Sequence, residues 1–136
     1  MRVIESPLEG HATTSVAGVE AAKEFFAPVF AATGKGLFAV ALCDVQARAF
    51  TLLSYPEALQ LAEFSVQPLV SRAVRSGCAG LVVAHNYARP WGKPIAADFD
   101  LAGRLVKATE PLEITLVDYL LLGPGPPFSF RRADIL

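Results

Sequence analysis

A histidine and an aspartate are the two residues of this chain whose types and spacing are best suited to chemistry. His85 follows a short apolar run at residues 81–84, and Asp98 lies thirteen residues later, beyond a loop with two prolines. An imidazole nitrogen and a carboxylate oxygen are both zinc ligands in proteins. The pair therefore indicates a metal site or the remnant of one; the structural alternative is a histidine hydrogen-bonded to Asp98 or to a loop carbonyl.

The elements around these two residues place them at the edge of a sheet. Residues 80–84 have the continuous apolar pattern of a buried strand, so His85 is expected at its carboxyl edge, where open α/β sheets place their sites. A helix is predicted at 98–108, with Asp98 as its N-cap. A second carboxylate, Asp118, is predicted in the middle of an apolar strand, where it needs donors such as Arg104 or a backbone N–H.

The rest of the chain predicts an α/β fold, a mixed β-sheet flanked by helices, because strands and helices alternate. A helix is expected from Thr14 or Ser15 to Thr33, kinked or shortened by Pro28, and another at 65–76, ended by Gly77. Residues 54–65 fit either a short helix or an irregular crossover. The remaining strands are predicted at 37–44, 48–53, 114–122 and 128–130. We divide the chain into an N-terminal arm or edge segment, 1–14, and one domain, 15–136.

Composition and charge exclude several classes of protein. The chain is 53% hydrophobic but has no apolar run near the ~20 residues needed to span a bilayer, and no signal peptide is recognisable. We therefore expect a cytoplasmic protein that does not act at a membrane. Its net charge of −1 provides no basic footprint for nucleic acid. Cys43 and Cys78 do not form a CxxC pair, so we interpret both as buried apolar residues.

The loop after His85 carries a weaker signal for binding. It places Arg89, Trp91 and Lys93 close together, and aromatic side chains interleaved with basic ones can stack on bases and contact phosphates. Trp91 fits equally well as a lid over the site or as an anchor in a protein interface. Nucleic-acid binding is therefore the weaker of these interpretations.

Two motifs and their order resemble the RadC-like branch of the JAB/MPN (JAMM) metalloprotease superfamily. The branch has a central pattern H-N-H-P-S-G-x-x-x-P-S-x-A-D, and residues 85–98 read HNYARPWGKPIAAD with no gap. Its later pattern V-L-D-H-[LI]-I-[IV]-G is similar to TLVDYLLLG at 115–123, and the F-S-F ending matches residues 128–130. The resemblance covers residues from about 15 to 136.

The same resemblance shows where this chain departs from an active site. In the superfamily, two histidines and an aspartate bind zinc, and an upstream glutamate acts through the zinc-bound water. His85 and Asp98 match two of the ligands, and Asp118 also matches. Tyr87 replaces the second histidine, Tyr119 replaces the histidine of the later motif, and Ile95 replaces the serine that supports the oxyanion. No glutamate lies between Glu24 and Glu57, although the family places one before the strand at 37–42.

These departures imply a domain that has lost zinc-dependent (iso)peptidase activity and acts as an interaction or scaffold module, with a protein partner or as a homodimer. In that case no cofactor is expected, and zinc is expected only if the site still functions. The first alternative is a metal-dependent hydrolase with a rearranged site, using His85, Asp98 and either His11 or Tyr87. The second is a DNA-associated protein, which the family's DNA-repair label suggests. A zinc deaminase is excluded, because the P-C-x-x-C signature is missing.

Overall fold

A single mixed sheet forms the centre of the molecule. The computed structural model describes residues 2–8, 14–33, 37–56, 61–86 and 92–136. The seven strands are β1 (Ile4–Pro7), β2 (Thr14–Ser15), β3 (Phe38–Cys43), β4 (Arg48–Tyr55), β5 (Gly80–Asn86), β6 (Thr115–Leu122) and β7 (Phe128–Ser129). Their order is β1-β4-β3-β5-β6-β7, and β2 also pairs with β4. Among the strand pairs formed by the described residues, only β5–β6 is parallel.

Helices cover both faces of this sheet. The helices are α1 (Val19–Thr33), α2 (Val66–Ser76) and α3 (Ala96–Thr109), with short 3₁₀ turns at Leu61–Glu63 and Glu110–Leu112. One core joins α1 to the sheet through Val19, Ala22, Phe26 and Phe30. The core on the opposite face is formed with α2 and α3. The predicted α/β class, a mixed sheet between helices, is confirmed, and none of the described helices is long and apolar enough to cross a membrane.

Several element boundaries differ from the sequence-based expectation. Thr14 and Ser15 form an edge strand on β4 instead of capping a helix, and α1 begins only after Gly18, which has a φ of +87°. Pro28 lies inside α1, which continues to Thr33. The segment left ambiguous at 54–65 extends β4 to Tyr55 and then contains a 3₁₀ turn. Val74 lies in α2 but is 51% exposed.

The turn that precedes β5 follows the prediction. Gly77 ends α2 in the left-handed region, with a φ of 72°, and its N–H donates to helix carbonyls, as expected for a glycine C-cap. The chain then enters β5, whose apolar residues Leu81, Val82, Val83 and Ala84 are all fully buried. Cys43 and Cys78 are buried free thiols, as expected.

A bulge in β6 decides which face its side chains occupy. In the pairing with β5, Leu81 lies opposite Leu116 but Val82 lies opposite Asp118, so Val117 is an extra residue. Since side chains alternate along a strand, one extra residue moves everything after it to the other face. Tyr119 consequently faces the same core as Leu116, the core covered by α2 and α3.

Candidate functional site

His85 is the penultimate residue of β5, and its ring lies against the start of α3. Its side chain is 17% exposed, and its Nδ1 atom lies 3.8 Å from Oδ1 of Asp98. That distance is too long for a hydrogen bond. Nδ1 is buried and has no hydrogen-bond partner among the described residues. The structure therefore brings the two predicted ligands together, but leaves one imidazole nitrogen unsatisfied.

Asp98 is fully buried, and both of its carboxylate oxygens accept hydrogen bonds. Its Oδ2 accepts the backbone N–H of Ile95 at 2.9 Å, and its Oδ1 accepts the hydroxyl of Tyr119 at 2.9 Å. Asp98 was predicted to be the N-cap of α3. This is wrong, because Ile95 has the extended N-cap conformation and Asp98 is the third helical residue. From the third helical position, the carboxylate accepts a hydrogen bond from the N–H of Ile95, which has no partner within the helix.

The ionisation of this group follows from its surroundings. Burial raises the pKa of the Asp98 carboxyl. The neighbouring His85 ring, the Ile95 N–H and the Tyr119 hydroxyl together lower it by more than burial raises it, so the pKa lies below its ordinary value of 3.8. Burial and the adjacent carboxylate raise the pKa of the Tyr119 phenol above its ordinary value of 10. Asp98 is thus an anion at neutral pH, and Tyr119 is a protonated donor.

Tyr119 is held rigidly in this position. The side chain is fully buried, and its ring packs against Phe130 with centroids 4.7 Å apart. Phe130 in turn contacts Phe99 of α3 at 5.3 Å. This packing holds the Tyr119 hydroxyl at hydrogen-bonding distance from Asp98.

Asp118 lies on the opposite face of β6 and has its own set of donors. Its Oδ1 accepts the backbone N–H groups of Tyr119 at 2.8 Å and Arg131 at 3.0 Å, and its Oδ2 accepts the hydroxyl of Ser129. Of the two kinds of donor expected for Asp118, backbone N–H groups are confirmed, whereas Arg104 does not contact it. The Arg104 guanidinium binds Asp100 and the carbonyls of residues 61 and 64 instead. Asp118 therefore ties β7 and the segment after it to β6.

Arg131 is a residue that sequence reasoning missed. Its Nε and Nη2 donate to the carbonyls of Val117 and Leu116, at the bulge where ladder pairing with β5 is interrupted. An unpaired carbonyl at a bulge needs a donor, and Arg131 provides two. The available signal was the mid-strand carboxylate Asp118, which predicts nearby hydrogen-bond donors. It does not predict that the Arg131 side chain binds the carbonyls of Val117 and Leu116.

Of the remaining candidates, Ile95 contributes only its backbone N–H to this site. Ile95 is 46% exposed at the start of α3, and its side chain has no hydrogen-bonding atom. Lys93 is exposed. The predictions for His11, Tyr87, Arg89 and Trp91 fall outside the described residues, as does the stretch 34–36 that precedes β3.

Among the described residues, the donors near His85 are fewer than a catalytic zinc ion needs. Such a site needs three protein ligands and a water. Here His85 and Asp98 are two, and the described part of the chain contains no group of three His, Cys, Asp or Glu side chains that could hold a metal. The Asp98 carboxylate is also already engaged by two donors. No reaction step through zinc follows from this geometry.

Comparison with known proteins agrees with the fold and the motifs. The family model described as a RadC-like JAB domain matches residues 16–135. A UPF0758 protein of Idiomarina loihiensis is 31% identical over 108 residues, covering 76% of this chain and 46% of that protein. A UPF0758 protein of Xylella fastidiosa is 30% identical over 112 residues, covering 82% and 50%, and one of Acidithiobacillus ferrooxidans is 36% identical over 71 residues, covering 52% and 32%.

This chain therefore spans half or less of the length of these bacterial relatives. The family match, at residues 16–135, contains strands β3 to β7, helices α1 to α3 and the positions of both motifs. On this match, the chain belongs to the RadC-like JAB domain family.

Proposed function

We propose that this RadC-like JAB domain does not hydrolyse peptide or isopeptide bonds with zinc and that it acts as an interaction module, through a protein partner or as a homodimer. The observation that carries the proposal is the state of Asp98. Its carboxylate is fully buried and is held by the Tyr119 hydroxyl and the Ile95 N–H. A zinc ion would have to compete with the Tyr119 donor for the same oxygen atom.

The chemistry that the family's site performs would lack several parts here. Zinc generates a hydroxide near neutral pH and polarises the carbonyl that is attacked, and it needs the ligand that Tyr87 replaces. Loss of a general base typically costs 10²–10⁴-fold in rate, and loss of an oxyanion donor costs about 10²-fold or more. Ile95 has no such donor, and residues 25–56 contain no glutamate.

An interaction role is supported by what this chain retains. The two cores on either side of the sheet are densely apolar. Two large apolar side chains, Ile95 and Phe99, are each 46% exposed on the first turns of α3. Exposed apolar side chains close together on one helix are typical of contact surfaces. A cytoplasmic location is part of this proposal.

Metal content tests the first half of the proposal. The chain would be purified without chelator, and its zinc measured by elemental analysis and by thermal melting with and without added zinc. We expect well under one equivalent of zinc and no rise in melting temperature, since a ligand stabilises only the state that binds it. The Tyr87→His variant restores the second histidine of the motif and is expected to gain zinc. About one equivalent of zinc in the unmodified chain would overturn the proposal.

A rearranged zinc hydrolase is the second candidate, and one observation favours it. The buried Nδ1 atom of His85 has no hydrogen-bond partner among the described residues, and a buried polar atom without a hydrogen bond is costly unless something binds it. This candidate predicts stoichiometric zinc in the unmodified chain, together with loss of that zinc in His85→Ala. Exchange of His11 or Tyr87 for alanine would then identify the third ligand.

Nucleic-acid binding stays outside our proposal. The net charge of −1 supplies no basic surface, and phosphate contacts normally dominate such binding. A titration with single- and double-stranded DNA at low and moderate salt tests the point. Salt-sensitive binding at low salt would bring the DNA-associated alternative back.

A further inference from the structure

A second concave surface lies at the end of the sheet opposite to His85. It is a cavity of about 550 Å³ between the last turn of α3, the start of β6 and the final residues of the chain. Thr115 at the start of β6 pairs with Gly80 at the start of β5, whereas His85 lies near the end of β5. Because β5 and β6 are parallel, the cavity and the former metal site are at opposite edges of the sheet.

The cavity has an apolar interior and a charged rim. Its volume falls in the ~300–1,000 Å³ range of pockets that bind ligands. The apolar lining reaches the protein surface, because Ile135 is 40% exposed, and Leu112, which lies between the lining residues Glu110 and Glu113 in sequence, is 47% exposed. A surface that extends beyond the cavity suits a chain segment better than a small molecule. The apolar lining residues are Val106, Ile114, Leu116, Ile135 and Leu136.

The charges on the rim are unequal. Glu110 and Glu113 line the cavity, are both exposed, and form no ion pair with a residue in the described ranges. The one cationic lining residue is Arg131, and two of its nitrogens already donate to the carbonyls of Leu116 and Val117. Two carboxylates against one engaged guanidinium leave the rim with an excess of negative charge.

We propose that this cavity docks a peptide segment of a protein partner that presents an apolar side chain to the interior and a lysine or arginine to Glu110 and Glu113. The proposal rests on the interaction role proposed above and gives it a surface. Apolar burial supplies most of the binding free energy in such a contact. The acidic rim selects a basic segment over an acidic one, because like charges at an interface are repelled.

Three peptides of equal length test the proposal on the isotope-labelled full chain by NMR. One alternates leucine and lysine, the second replaces lysine by glutamate, and the third replaces leucine by serine. We expect saturable shifts only with the leucine–lysine peptide, at the amides of 110–116 and 131–136. The double variant Glu110→Lys/Glu113→Lys should weaken this binding about tenfold or more. The matched control Glu20→Lys/Glu24→Lys, two exposed glutamates of α1, should leave it unchanged.

Several results would overturn the proposal. Equal binding of the serine–lysine peptide would mean attraction by charge alone, and absence of shifts with any peptide would remove the docking surface. Concentration-dependent self-association that the double variant abolishes would identify a second copy of this chain as the occupant instead of a partner. Zinc measured in the same preparation keeps the two proposals apart: a metal-free chain that binds no peptide refutes only the docking surface, and stoichiometric zinc refutes only the loss of the metal site.

Discussion

Removal of one hydroxyl, in Tyr119→Phe, tests how the buried carboxylate of Asp98 is held in place. The hydroxyl is the only side-chain donor to Asp98 within hydrogen-bonding distance among the described residues. Phenylalanine fills the same space, so no cavity is added, but a buried charged oxygen loses its donor. Hydrogen bonds to charged groups contribute ~1.5–3 kcal/mol. We expect a loss of about 2 kcal/mol in the free energy of unfolding and a melting temperature roughly 5–12 °C lower.

The effect should also depend on pH, with a sign set by Asp98. Its folded pKa lies below the ordinary value of 3.8, so its contribution to stability is present above that value and is lost as the pH falls through the folded pKa. The Tyr119 donor is one cause of the lowered pKa. The deficit of Tyr119→Phe is therefore expected to be largest at neutral pH and to shrink as the pH falls below 3.8 and through the folded pKa of Asp98, where the carboxyl becomes protonated.

Urea unfolding at several pH values measures both effects. Tyr55→Phe is the matched control, because Tyr55 is 5% exposed and its hydroxyl makes no hydrogen bond to a described residue. That variant should lose less than ~0.5 kcal/mol. A double-mutant cycle of Tyr119→Phe with Asp98→Asn isolates the pair. A coupling near zero, or equal losses in Tyr119→Phe and Tyr55→Phe, would refute the reasoning.

Three further predictions concern the frame of the site. Gly80→Ala would place a Cβ 2.9 Å from a valine methyl of β6 and should lower the free energy of unfolding by ~1–3 kcal/mol. In Gly103→Ala the added Cβ meets nothing within 4 Å in α3, so the free energy of unfolding should rise by ~0.5–1 kcal/mol. Chemical denaturation of both variants measures these changes. Burial raises the pKa of Cys43 to about 12 and also raises that of Cys78, so neither should react with a thiol reagent at pH 8 until urea unfolds the chain, and rapid labelling of the folded protein would contradict this. Arg131→Met leaves two bulge carbonyls without this donor and should lower the free energy of unfolding by ~1–2 kcal/mol. The control Arg132→Met, at an exposed position, should change it very little.

Local patterns were enough for most of the frame. The apolar run at 81–84 predicted β5, Gly77 predicted the end of α2, and the apolar stretch at 114–122 predicted β6. These elements depend on neighbouring residues: burial of a continuous run and the left-handed conformation that glycine tolerates. The boundaries of α1 and α3 were less well predicted, because capping depends on the path of the preceding loop.

The candidate site divides in the same way. The types and spacing of His85 and Asp98 could be read from the sequence, and comparison with the family motif showed that tyrosines stand where the family has histidines. The contact between Tyr119 and Asp98 depends on the bulge at Val117, which turns Tyr119 towards α3. A one-residue shift in pairing reverses the face of every later side chain. That register is set between β5 and β6, two strands separated in sequence by α3, so no local pattern contains it, and only the folded chain decides that the phenol meets the carboxylate.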